Sequence, residues 1–234
     1  MEHRERDFTV TSSARTEWLV PAGLLLLSTV PVAAGAFRLT QLTIGADITP
    51  ENARFFAAPI PIVLHIVGAT LYSVLGAFQF VPSLRQRRPG WHRAAGRLLI
   101  PAGLAGALAG LWMTLFYPRP VGDGDLLAVF RVVFGSGMVV SILQGFVAIQ
   151  RRDIAQHRAW MTRGYAIALG AGTQALIFVP WFLLVGTPDE LEKALLMAAG
   201  WLINLAVAEW TIRRRPADAR RTYVRVPAVQ ISLR

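Results

Sequence analysis

Six long apolar runs occupy most of the chain and limit what it can fold into. They cover residues 18–37, 57–84, 93–117, 126–149, 163–186 and 193–212. Each reaches the roughly 20 helical residues needed to cross a hydrocarbon core of about 30 Å. Because 54% of the residues are hydrophobic and only 16% are charged, the chain has too little polar surface for a soluble globule. The sequence predicts an all-α membrane protein with six transmembrane helices over residues 18–212.

Basic residues predict how these helices are oriented. The tails 1–17 and 213–234, together with the basic segments at 85–97 and 150–163 that follow the second and fourth runs, hold 19 of the 24 Lys and Arg residues. By the positive-inside rule, both tails and both loops are cytoplasmic. The net charge of +10 therefore reflects topology, and no nucleic-acid partner is expected. The basic tail 213–234 is expected to contact anionic lipid headgroups in the bilayer.

The two basic loops repeat one another. QRRPGWHRAAGR at residues 86–97 and QRRDIAQHRAWMTR at residues 150–163 share a basic pair, a His-Arg pair and a closing arginine. Each is the elbow of a helical hairpin, one over residues 57–117 and the other over 126–186. Helices two to five are therefore predicted to form a four-helix core of two parallel hairpins, related by a pseudo-twofold axis along the membrane normal. Helices one and six should flank this core.

His92 and His157 occupy equivalent positions in the two elbows, at the starts of helices three and five. Two imidazoles at the same depth on neighbouring helices can clamp a haem iron. The first hypothesis is a redox protein that binds one haem b or a quinone near the cytoplasmic face. Propionates or other anions would pair with the arginines of the elbows, namely Arg93, Arg97, Arg158 and Arg163.

Two other functions compete with this hypothesis. The same histidines and arginines could hold a lipid phosphate or an anionic solute, in a binding or transport protein with His65 lining a polar path from outside. Alternatively, the protein could be a structural membrane module without a ligand. The chain has no cysteine, so any redox chemistry needs a bound cofactor. No motif predicts an enzymatic reaction.

A second polar layer lies nearer the outer face and contains His65, Arg131 and Gln174. At 1.5 Å per residue, His65 is about 28 Å from the inner end of helix two, too far to share a metal with His92 or His157. The repeat places the partner of His65 near Phe130, so an outer bis-histidine haem is excluded. His65 is expected to pack against helix five through a hydrogen bond, and Arg131 to extend towards the surface.

The segments LHIVGATLYSVLGAFQFVPSLRQRRPGWHRAAGR and HRAWMTRGYA resemble the bacterial membrane-protein family known as domain of unknown function 2306, over about residues 60–180. The resemblance implies a bacterial inner-membrane location and no established reaction. Where the family usually has an arginine after the second elbow, this chain has Gln174. The family pattern maps onto His65, Gly76, Gln79, Phe80, Arg85, His92, Arg93, Gly96, Arg97, His157, Arg158, Trp160, Met161 and Arg163. The chain is more distantly similar to transmembrane diheme cytochromes b, which implies His92 and His157 as one ligand pair.

Overall fold

The computed structural model describes residues 2–214, with side chains from Glu17 onward. Most of the predicted basic tail lies outside these residues. The described chain forms nine α-helices: α1 (Glu2–Ile44), α2 (Ala53–Ala57), α3 (Pro59–Ala77), α4 (Pro82–Arg87), α5 (Pro89–Phe116), α6 (Asp125–Gln150), α7 (Ile154–Ala168), α8 (Gly170–Leu184) and α9 (Glu190–Arg213).

Six segments are long and apolar enough to cross a membrane, which confirms the predicted fold class. They are α1 from Glu17, α3 with the turn that follows it, α5, α6, α7 together with α8, and α9. The first span extends to Ile44, beyond its predicted end at residue 37.

The fifth span begins at Ile154, nine residues before its predicted start at residue 163. The reason is local: Asp153 caps the helix by accepting a hydrogen bond from the backbone N–H of Gln156 at 3.0 Å. Likewise α5 begins at Pro89 because proline suits the first turn of a helix. The two repeated basic segments therefore lie largely inside helices.

The core has the predicted arrangement. Helices α3 and α5 form one hairpin, α6 and α7 form the other, and the hairpins meet through α5 with α6 and through α7 with α3. Outside this core, α1 packs on α3 and α8, and α9 packs on α6, α7 and α8. We call the end of the bundle with the two elbows the elbow end. The opposite end, with the loops around residues 45–58, 117–124 and 185–189, is the loop end.

The half of the core towards the elbow end is tightly packed. Tyr72 and Tyr165 are almost fully buried at its centre. The Tyr165 hydroxyl donates a hydrogen bond to the carbonyl of Ser73 at 2.6 Å. A Cβ added at Gly103 would lie only 2.6 Å from the Tyr72 ring, so the glycine is needed for this close approach.

The fifth span is interrupted at Leu169, between α7 and α8. The carbonyl of Ala166, near this break, accepts a hydrogen bond from the side chain of Asn204 at 3.1 Å. A polar group from a neighbouring helix thus satisfies backbone at membrane depth, as an interrupted helix requires. Beyond the break, α8 packs mainly on α9 and α1. Its departure from the core opens a cavity towards the loop end.

Candidate functional site

A cavity of about 650 Å³ occupies the loop-end half of the bundle. Helices α1, α3, α5, α6, α8 and α9 all contribute to its lining. By the helical rise of 1.5 Å per residue, Lys193 lies about 5 Å and Ser73 about 21 Å from the loop ends of their helices. The cavity therefore extends from the loops to the middle of the membrane, and its size is typical of small-molecule sites.

The floor of the cavity is formed at the break in the fifth span. Ile167, Ala168 and Leu169 line it there, together with Met138 and Trp201 on neighbouring helices. These side chains are apolar, so the deeper part of the cavity suits an apolar group.

Asp123 is the buried anion at the mouth of the cavity. Its side chain is only 3% exposed, and its two oxygens lie 2.5 Å from Lys193 Nζ and 2.6 Å from Arg131 Nη1. Burial alone would raise the pKa of Asp123, but the hydrogen bonds from Lys193 and Arg131 outweigh it and hold the pKa below its ordinary value. The carboxylate is therefore ionised and ties the α5–α6 loop to α6 and α9. Arg131 extends from α6 towards the loop end, where it binds this carboxylate.

Arg54 is a second cation at the mouth. Its guanidinium carbon lies 4.6 Å from the centre of the Phe55 ring, and that of Arg38 lies 4.5 Å from the same ring. In the described part of the chain, Arg54 forms no ion pair with a carboxylate. Burial lowers the pKa of Arg54; Asp123 opposes this effect, while Arg131 and Arg38 reinforce it. The mouth therefore carries an excess of positive charge.

His65 lies deeper in the cavity, beside α5. Its Nδ1 is 2.8 Å from the carbonyl oxygen of Gly106. Because a carbonyl only accepts, Nδ1–H is the donor, and in the neutral ring Nε2 keeps a lone pair for another partner. The predicted hydrogen bond is present, but it reaches the third span, not the fifth. Gly110 leaves room for the ring, since a Cβ there would lie 3.1 Å from Nδ1.

Gln174 joins α8 to α9. Its side chain is buried, and Nε2 donates a hydrogen bond to the carbonyl of Met197 at 2.8 Å. His65, Arg131 and Gln174, the three residues predicted as an outer polar layer, thus all line one cavity. Sequence reasoning missed Asp123, Arg54 and Lys193, which it counted only as charges in loops. One feature of the sequence could have indicated them: the loops on the side of the membrane that is poor in basic residues still contain a few.

At the elbow end, His92 and His157 are placed equivalently in their helices. The backbone N–H of each donates to the residue that precedes its helix, His92 to Arg88 at 3.2 Å and His157 to Asp153 at 3.0 Å. Neither histidine lines the large cavity.

The two imidazoles differ in their hydrogen bonds. His157 Nδ1 lies 2.8 Å from the carbonyl oxygen of Gly145, so Nδ1–H donates and Nε2 keeps its lone pair. His92 Nδ1 is buried and has no hydrogen-bond partner among the described residues. Only His157 therefore has the hydrogen bond from its second ring nitrogen that metal-ligating histidines usually make.

The helix that carries His157 is closely packed on its neighbours. A Cβ added at Gly145 would lie 2.7 Å from the sulfur of Met161, and the rings of Phe80 and Tyr165 have centres 5.0 Å apart. Both contacts involve α7, one with α6 and one with the turn that follows α3, so α7 is closely packed on these two sides. Among the side chains that the structure describes, from Glu17 to Arg214, no three His, Asp or Glu residues form a possible metal site.

The four elbow arginines are in different environments. Arg163 donates through Nε and Nη2 to Glu209 on α9, at 2.5 and 3.2 Å, and its guanidinium lies over the Trp160 ring. Its charge is therefore already balanced by a carboxylate that sequence reasoning did not anticipate. The other three are exposed and form no ion pair within the described chain: Arg93, Arg97 and Arg158.

Comparison with known proteins supports the assignment of a family. The chain matches no protein of curated function and no solved structure. The family described as "Predicted membrane protein (DUF2306)" matches residues 62–212, which include both hairpins and most of the cavity. The match covers well over half of the chain, and the chain therefore belongs to the DUF2306 family of predicted membrane proteins.

Proposed function

We propose that the protein is a binding or transport protein that takes a small amphipathic organic molecule into the loop-end cavity. The observation that carries this proposal is the 650 Å³ cavity that reaches from the loops to the interruption of the fifth span. The positive-inside prediction puts its opening on the outer side of the membrane.

The interrupted helix supports the same proposal. Leu169 is a single irregular residue in an otherwise helical span, and irregular backbone at membrane depth is tolerated where it is buried in protein or lines a cavity. Here Leu169 lies both at the break and on the cavity wall. Polar groups at His65 and Gln174 alternate with an apolar lining, which suits a ligand that has an apolar body and few polar atoms.

The redox interpretation remains a competing hypothesis at the elbow end. It is favoured by the free Nε2 of His157 and opposed by the packing around Met161 and Tyr165. A visible spectrum of the purified protein separates the two functions. We expect no Soret band, and a stoichiometric Soret band that is lost in a His157→Ala variant would replace our proposal.

A cavity-filling variant tests the proposal directly. In phosphatidylcholine nanodiscs, calorimetric titration with octanol would be compared between the wild type and Ala69→Phe, after subtraction of empty nanodiscs. Ala69 lines the cavity, so a phenyl ring there should weaken octanol binding about tenfold, or about 1.4 kcal/mol.

The matched control is Val67→Phe on the same helix. Val67 is 45% exposed on the outer surface of the bundle and does not line the cavity. This variant should bind octanol as the wild type does. Unchanged binding in Ala69→Phe, or equal losses in both variants, would mean that the cavity is not the binding site.

A further inference from the structure

Basic residues on the loop side of the protein converge on the cavity. The chain has only five there: Arg38, Arg54, Arg119, Arg131 and Lys193. All except Arg38 line the cavity, and Arg38 shares the Phe55 ring with Arg54. Acidic side chains are more numerous in the same loops, but Asp123 is the one found in the cavity lining. This arrangement opposes the general charge of the loops, so orientation in the membrane does not explain it.

The charges at the mouth do not balance. Arg119 is paired with Asp125 outside the cavity. Arg131 and Lys193 share the single carboxylate of Asp123, and Arg54 has no carboxylate partner in the described part of the chain. Two positive charges of this partly buried cluster therefore have no carboxylate partner of their own among the ion pairs of the described residues, and an unpaired charge is costly there. An anion of one or two charges would stabilise this cluster.

We infer that the ligand is an organic anion whose carboxylate or phosphate binds between Arg54, Arg131 and Lys193, beside Asp123, with its apolar body extending towards His65. This inference rests on the proposed function and names its ligand class. Guanidinium groups suit either anion because they donate two parallel hydrogen bonds to carboxylate or phosphate oxygens. The apolar floor at Met138 and Trp201 suits the other end of such a molecule.

Three probes with the same alkyl chain test the charge preference: octanoate, octanol and octylamine. In phosphatidylcholine nanodiscs, the wild type should bind octanoate about tenfold more tightly than octanol, which corresponds to one or two charge-assisted hydrogen bonds. Octylamine should bind most weakly. Octyl phosphate then tests whether a phosphate group can bind in place of the carboxylate.

Arg54→Gln is the main variant because Arg54 binds no acidic side chain whose pairing would be lost with it. It should lower octanoate affinity about tenfold and leave octanol affinity within about twofold. Arg54→Lys keeps the charge and should retain most of the octanoate affinity. These two results together separate lost charge from lost packing against Phe55.

Asp123→Asn should have the opposite effect. It removes the carboxylate that now occupies Arg131 and Lys193, so octanoate affinity should rise about tenfold or more. Without ligand, its thermal unfolding temperature should fall, and octanoate should restore it more than octanol does. A solute and a lipid headgroup are distinguished by adding phosphatidylglycerol to the nanodiscs: its surface potential weakens octanoate binding equally in the wild type and Arg54→Gln, whereas a lipid that competes for the site weakens it more in the wild type.

The outcomes separate this inference from the proposed function. If octanoate and octanol bind equally and Arg54→Gln changes the affinity for neither, the ligand is not an organic anion. In that case the proposed function still holds, provided that Ala69→Phe weakens octanol binding. If no probe binds the wild type, the proposed function fails and the inference fails with it.

Discussion

His65 and His157 make the same hydrogen bond in opposite halves of one bundle. Each ring donates Nδ1–H to a glycine carbonyl on the neighbouring helix, Gly106 or Gly145, at 2.8 Å. Yet His65 lines a cavity, whereas His157 lies beside tightly packed side chains. The hydrogen bond therefore fixes the tautomer of each histidine, while the space beyond its other nitrogen decides whether the ring can contact a ligand.

The difference in space comes from the fifth span. Before Leu169, α7 stays in the four-helix core and places Tyr165 against Phe80 and Tyr72. After Leu169, α8 moves towards α1 and α9. Gly172 lies directly against the backbone of Leu27 there, which fixes the path of α8 away from the core.

Glycine substitutions should show the largest difference in stability between the packed half and the open half. At Gly76, a Cβ would lie 2.5 Å from the ring of Tyr165, which is buried and held by Ser73. We expect Gly76→Ala to destabilise the protein by about 1–3 kcal/mol through overpacking, seen as a lower thermal unfolding temperature in detergent. Gly110→Ala, where a Cβ would lie 3.1 Å from the His65 ring beside open space, should cost less.

A control for helix propensity is available at Gly96, on the same helix as Gly110. A Cβ there would meet nothing within 4 Å, so Gly96→Ala should raise stability slightly, by about 0.5–1 kcal/mol. Equal losses at Gly76 and Gly110 would contradict the claim that the elbow half is packed and the loop half is open.

The buried carboxylate of the loop half should make stability depend on pH. The folded-state pKa of Asp123 is lowered, because hydrogen bonds from Lys193 and Arg131 outweigh its burial. A lowered pKa contributes stability above the unfolded pKa, and this stability is lost as the pH falls through the folded pKa. The wild type should therefore lose thermal stability as the pH falls below the ordinary pKa of an aspartate, about 4, and Asp123→Asn should lose less.

The matched variant for this measurement is Asp125→Asn. Asp125 is exposed and pairs with Arg119 at the surface, so its removal should leave the acid loss of stability nearly intact. If both variants follow the wild-type pH curve, Asp123 is not the group that titrates.

Replacing each of the two histidines tests whether only His65 contacts a ligand. His65→Phe and His157→Phe each remove one hydrogen bond and should each cost about 1 kcal/mol of stability. Only His65→Phe should change octanol binding, by about threefold or more, because only His65 lines the cavity. A change in octanol binding of similar size in His157→Phe would remove the distinction between the two rings.

Several features of this protein were predictable from its sequence. Apolar length predicted six spans, and the repeated elbows predicted which spans form the core, because both signals depend on local composition. His65, Arg131 and Gln174 were recognised because polar groups inside a span are rare. The superposition of the two hairpins by a twofold axis stays a prediction.

The cavity itself was not predictable. Its existence depends on a break at Leu169, and no proline marks that position, since Pro180 lies within a continuous α8. Asp123 was read as a loop charge because its partners, Arg131 and Lys193, come from two distant helices. Arg163 was likewise predicted to bind an anionic ligand. Its actual partner, the carboxylate of Glu209, lies 46 positions further along the chain.

The elbow arginines give the smallest expected effect and return the comparison to the elbow end. Arg158 is exposed without an ion pair in the described chain, while Arg163 is bound to Glu209. Arg158→Gln should therefore reduce the preference for phosphatidylglycerol over phosphatidylcholine, by at most about 1 kcal/mol, and leave stability unchanged. Arg163→Gln should do the reverse, with a stability loss of about 1 kcal/mol or less because the pair is partly exposed. Native mass spectrometry of bound lipids measures the lipid preference, and thermal unfolding measures the stability. A lipid preference that depends on Arg163 as much as on Arg158 would show that Glu209 does not bind Arg163.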